Sequence, residues 1–96
     1  MLTADKEDGI WKIAHEVAAE VARAMKLFPA MNSPHEAESV IREEFEEYWD
    51  EVKAFNPRKG KDTRPRPREE LVQLAAMAIR AIADTIDNGK VYETIQ

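Results

Sequence analysis

Glu44, Glu47 and Glu51 stand three and four residues apart in the run Arg42–Val52, REEFEEYWDEV. A helix turning about 100° per residue carries them within roughly 60° of one another on one stripe, where like charges repel. Eight acids lie between Ser33 and Phe55 against two bases, Arg42 and Lys53, so most of these carboxylates lack a helical partner of opposite sign. A hard divalent cation offsets that repulsion: Mg²⁺ takes a few carboxylate oxygens and completes its shell with water and substrate phosphate, and Mn²⁺ accepts the same donors. Downstream, Glu70 and Gln73 repeat the i, i+3 spacing. If the two segments are antiparallel helical neighbours, both pairs face one ion.

Between them runs residues 56–67, NPRKGKDTRPRP. It carries Arg58, Lys59, Lys61, Arg64 and Arg66, with Arg68 just beyond, against a single acid, Asp62. A basic strand beside an acidic cation site suits a polyphosphate, because the ion bridges phosphate oxygens while Arg or Lys balances the remaining charge. Arg58, Lys59, Lys61 and Arg64 are therefore the candidate phosphate binders. An acidic stripe taken alone more often serves solubility, and a basic loop is also a plain soluble connection. The combination is more specific than either half.

The elements that must position these groups are helices. Ile10, Ile13, Val17, Val21, Met25 and Phe28 recur at steps of three and four, a helical face closed by Pro29. SPHE at Ser33–Glu36 reads as a helix start, with Ser33 as cap, Pro34 in the first turn and Glu36 in the capping-box position. The second helix is expected to run to about Phe55, burying Ala37, Ile41, Phe45, Tyr48, Val52 and Phe55, with Asn56–Pro57 closing it. Residues 56–67 lack apolar periodicity and read as a loop. A third, Ala-rich helix follows to about Asp87, with Leu71, Leu74, Ala75, Ala78 and Ile82 on one face and Val72, Ala76, Ile79 and Ile86 on another. Apolar on two sides, it is expected to be the most buried. Asn88–Gly89 is the stop signal, and residues 90–96 form a short tail. With no β alternation, the expected fold class is all-α: one domain, 1–96, of three main helices in a bundle completed by self-association.

On these residues the chain resembles a known family. EEFEE (Glu43–Glu47) followed by EELVQ (Glu69–Gln73) is similar to the EExxE and ExxD pattern of the MazG-like, all-α nucleoside triphosphate pyrophosphohydrolases, and the similarity spans roughly Ser33 to Ile86. The resemblance implies Mg²⁺-dependent cleavage of a (deoxy)nucleoside triphosphate between its α and β phosphates, giving monophosphate and pyrophosphate, in a homodimer or homotetramer. By position it implies Glu44 and Glu47 as metal ligands from the first motif and Glu70 from the second, with Gln73 in the fourth place. Glu43 is implied as an additional ligand or as a group just behind the ligands, and Glu43 or Glu51 as the candidate catalytic base. The departure is Gln73: the family pattern has Asp there, and a neutral carbonyl oxygen removes one negative charge from the site. The alternative reading is a catalytically weak or inactive module of the same scaffold that binds a nucleotide or a protein.

Composition bounds these readings. Ninety-six residues form one small core, burying about 60 to 70% of the unfolded surface, which makes self-association a natural completion. A net charge of −5 with 34% charged residues argues against a general nucleic-acid or membrane-surface binder. Zero cysteines exclude disulfides, thiolate zinc sites and cysteine nucleophiles, and two histidines, His15 and His35, are too few for most imidazole sites. Any metal must be held by oxygen. No apolar run approaches the roughly 18 residues of a membrane span, and charges occupy the first residues where a signal peptide needs an apolar stretch, so a cytoplasmic location is expected. His15 and His35 are expected to face solvent or serve structure, Met25, Met31 and Met77 to fill core or interface, and Trp49 to do the same rather than stack on a base.

Overall fold

The computed structural model describes residues 4–54 and 67–87. They form three α-helices, α1 (Ala4–Leu27), α2 (Pro34–Ala54) and α3 (Pro67–Ile82), and α3 runs on into a π-helical turn, Ala83–Asp87. No strand occurs among the described residues. α3 packs against both α1 and α2, so the helix expected to be most buried is the common partner of the other two. The expected stop at Asn88–Gly89, the 90–96 tail, Phe55 and nearly all of the basic loop lie outside the described residues.

Local chemistry explains the helix starts. Ser33 Oγ accepts the Glu36 N–H at 3.1 Å, and Glu36 Oε2 reaches back to the Asn32 N–H at 3.1 Å. This is a capping box whose return bond lands one residue before the cap, satisfying two donors at the turn that precedes α2. The first buried turn of α2 sets Ala37 beside Met31 and Ala81, with Val40, Ile41 and Met77 packed around them. Small residues on α3 make this approach possible: Ala76 is fully covered and Ala81 nearly so.

The same end of α3 holds the end of α1 and the α1–α2 turn through charge. Arg80, 4% exposed, sends Nη1 to the Ala24 carbonyl at 3.3 Å and Nη2 to the Phe28 and Pro29 carbonyls at 2.5 Å each. It thereby supplies a donor to the Phe28 and Pro29 carbonyls just past α1 and a second one to the Ala24 carbonyl, which already accepts the Phe28 N–H at 2.9 Å. Asp84 accepts the Met31 N–H at 2.9 Å and lies 3.2 Å from Arg80 Nε, close enough for an ion pair though not aligned as a hydrogen bond. In the π turn Thr85 donates to the Ala81 carbonyl at 2.6 Å. One guanidinium and one carboxylate thus fix the α1–α2 turn onto α3.

Several expected core positions are corrected. On α1 only Val17 is buried from the predicted stripe, while Ile10, Ile13, Met25 and Phe28 are exposed, Met25 at 62%. α1 packs mainly against α3, and one main helical neighbour covers a narrower strip than the stripe supplies. On α2 Phe45 is 51% exposed, and on α3 Leu71, Ile79, Ile82 and Ile86 are exposed too. Periodicity marks these residues as apolar; it does not state that the partner surface lies within the same chain. Met31 is core and Met77 packs on it, whereas Met25, Trp49, His15 and His35 face solvent.

Candidate metal centre

α2 and α3 bring Glu44, Glu47 and Glu70 together, each with a carboxylate oxygen within 4.8 Å of the others'. Glu44 and Glu47 are one turn apart on α2, and Glu70 comes from the first turns of α3. Packing of the two helices therefore builds a three-carboxylate group from two sequence motifs. Glu44 and Glu70 are half-buried, and Oε2 of each is shielded from solvent without a hydrogen-bond partner. An unpartnered buried carboxylate oxygen costs desolvation energy that nothing among the described residues returns.

The electrostatics carry the same strain. Burial, then the charges of Glu47, Glu70, Glu43 and Glu20, pushes the Glu44 carboxyl up from the usual 4.5 to about 7. Glu70 is pushed up as well, first by burial and then by Glu47, which also shares a hydrogen bond with it, and by Glu51 and Glu69. Like charges gathered out of water hold on to protons. The helix's own bases are committed elsewhere: Arg42 pairs with Glu38, and Lys53 Nζ lies 3.4 Å from Asp50.

The other predicted site residues divide clearly. Glu43 is exposed and outside the close group, and it acts on Glu44 by repulsion. Glu51 is half-buried and acts on Glu70 in the same way. Gln73 lines a cleft of about 260 Å³ between α1 and α3 with Glu16, Glu20 and Arg68. In that cleft Arg68 grips Glu16 through two bonds of 2.8 Å, which holds the Glu16 carboxyl below its ordinary value. Arg58, Lys59, Lys61 and Arg64 lie outside the described residues.

Sequence reasoning missed two contributions. Glu20, paired with Arg23 and lowered by that bond, brings a carboxylate from α1 close enough to act on Glu44. Its signal was the i, i+4 pair Glu16 and Glu20 flanking the Val17–Val21 stripe. Arg80 and Asp84, also i, i+4, were legible as two charges inside the apolar run from Ala75 to Ile86.

Chemically, three convergent carboxylates with two unsatisfied oxygens form a hard-oxygen donor set for a divalent cation. Without an ion, they form a cluster that stores protons. A separate groove of about 530 Å³ on the α2–α3 seam is lined mainly by Ala37, Ile41, Ala78, Ile82 and Ile86. Its charged residues, Glu38 and Arg42, pair with each other. No family model, no curated protein and no solved structure matches the chain. None of the described helices is long and apolar enough to cross a membrane.

Proposed function

We propose that the chain is a MazG-like nucleoside triphosphate pyrophosphohydrolase, with Mg²⁺ or Mn²⁺ held by Glu44, Glu47 and Glu70. The observation that carries this reading is the convergence of those three carboxylates with the Oε2 atoms of Glu44 and Glu70 buried and unpartnered. Acids kept for solubility stay in water, and a structural ion pair has its cation beside it. Glu47 is exposed, but Glu44 and Glu70 are half-buried and no cation pairs with them among the described residues.

Glu44, Glu47 and Glu70 would hold the ion, and it would supply Lewis-acid stabilisation of phosphate charge. The residues of the chain have their own tasks. Glu43 or Glu51, at the edges of the triad, accepts the proton of a water whose oxygen forms the new bond to the α phosphorus as the α–β bridge breaks. Pyrophosphate leaves and the monophosphate keeps the water's oxygen. Basic side chains of residues 56–67 bind the phosphate tail. Gln73 lies in the cleft of Glu16, Glu20 and Arg68, and without the negative charge of an Asp at that position the ion is held more weakly. Such an enzyme works in the cytoplasm, where its substrates are. Large exposed apolar side chains on all three helices, Trp11, Phe28, Phe45 and Ile82 among them, support assembly into a homodimer or homotetramer.

The test is pyrophosphate release from a panel of standard and modified (deoxy)nucleoside triphosphates with Mg²⁺, with Mn²⁺ and with a chelator. Metal-dependent release that vanishes in Glu47→Ala, at equal folded protein, is the expected result. Release that persists in Glu47→Ala removes the role assigned to that carboxylate. Silence across the panel from folded protein leaves the scaffold as a binding module.

A further inference from the structure

A cavity of about 420 Å³ opens between the α1–α2 turn, α2 and α3 and shares Glu44 with the carboxylate triad. Its walls are apolar, with Phe28 and Met31 from the turn, Val40 from α2 and Met77 from α3. Its volume lies within the range of about 300 to 1,000 Å³ typical of small-molecule sites. A ligand anchored by its phosphates at the triad reaches this cavity with its other end, because Glu44 borders both.

The polar lining is one-sided. Arg80 is the basic residue of the cavity, and its guanidinium is already engaged by the Ala24, Phe28 and Pro29 carbonyls and by Asp84. The remaining charged side chains are carboxylates. Glu36 has one oxygen taken by the Asn32 N–H, Glu43 is exposed, and Glu44 Oε2 has no donor. Such a lining repels phosphate, which orients a nucleotide with its tail at the triad, and it offers acceptors to whatever enters.

Resting on the triad's assignment as a nucleotide's metal site, the geometry points to this cavity as the seat of the base, selecting cytosine and adenine over uracil and thymine. With Glu44 committed to the ion, an exocyclic amine donates to Glu36 or Glu43, the other carboxylates of the lining. A keto oxygen in its place sets lone pair against lone pair, which disfavours it. The apolar walls cover the faces of the ring, and the thioethers of Met31 and Met77 make favourable contacts with aromatic systems.

The experiment is equilibrium dialysis of the full chain with dCMP, dUMP and pyrophosphate, each with Mg²⁺ at pH 8. The two monophosphates set an amine against a carbonyl at position 4 and, beside it, an accepting ring nitrogen against a donating one. The expected result is dCMP binding at least about tenfold tighter than dUMP. Val40→Phe, which fills the cavity, is expected to weaken dCMP by a comparable factor and to leave pyrophosphate binding unchanged. Val40→Met, a smaller intrusion, gives the same direction should the Phe variant not fold. Equal affinity for dCMP and dUMP, or dCMP binding indifferent to both substitutions, overturns the assignment. Failure of the triad has a different signature: Mg²⁺-dependent pyrophosphate binding is absent while the preference for dCMP and its sensitivity to Val40 remain.

Discussion

At one end of α3, Glu70 lies against Glu44 and Glu47, three acids with two buried oxygens that nothing among the described residues satisfies. About three turns further along the same helix, Arg80 and Asp84 are more deeply buried, yet their polar atoms meet the α1 carbonyls, the Met31 N–H and each other. Both places put charge out of water. The second has its counter-charge within the chain, although Arg80 Nε makes no hydrogen bond, and so is structural; the first gathers charge of one sign with no cation beside it among the described residues. Burial of a charge does not mark function by itself. A buried charge whose counterpart is missing does.

The contrast breaks most visibly at its structural end. Arg80→Met leaves Asp84 buried without its cation and removes the Arg80 donor from the Phe28 and Pro29 carbonyls, and is expected to cost about 3 to 5 kcal/mol of stability, read by thermal or denaturant unfolding. Adding Asp84→Leu should recover only part of that loss, because the Met31 N–H and those two carbonyls lose their partners. Full recovery would mean that the network stabilises no more than an apolar patch does.

At the other end the sign is reversed, and pH reveals it. The folded Glu44 carboxyl titrates near 7 against 4.5 for the unfolded chain, so between those values the folded state holds the extra proton. That contribution is fully present below about 4.5 and is lost as pH rises through 7. Glu70 shifts in the same direction. The ion-free protein should therefore be more stable at pH 5 than at pH 8, and Glu44→Gln should flatten the decline by stabilising the protein at pH 8. Glu16 and Glu20, held low by Arg68 and Arg23, act in the opposite sense and only as pH falls below 4.5. Unfolding curves at several pH values, with chelator, check both statements.

The smallest effect sharpens the comparison by lying outside it. Ser33→Ala removes the cap of α2 and is expected to cost about 1 kcal/mol at any pH between 5 and 8, since no titrating carboxyl of the triad is involved. A pH-dependent loss would mean that the cap and the acidic group are coupled.

Much of this was legible in the sequence, for reasons that differ by residue. The Ser33–Glu36 start could be read because capping is local chemistry, satisfied within four residues. Glu44 and Glu47 could be placed on one stripe by helical geometry, and Glu70 opposite them once two antiparallel helices were supposed. Burial was read less well. Ile10, Met25, Phe45 and Ile82 have the spacing of core residues and lie exposed, because periodicity reports that a face is apolar without saying what covers it. Arg80 and Glu20 were missed for a related reason: the partners that give them meaning, the Ala24 and Phe28 carbonyls and the Glu44 carboxylate, come from other helices.

The central claim is that Glu44, Glu47 and Glu70 hold one divalent cation, and Mn²⁺ titration followed by electron paramagnetic resonance tests it without recourse to turnover. The account predicts one bound ion per chain at pH 8, weaker binding at pH 5.5 where protons compete for Glu44, and loss of the ion in both Glu47→Gln and Glu70→Gln. Mn²⁺ binding that neither substitution changes, or no binding to the folded chain at pH 8, would contradict it.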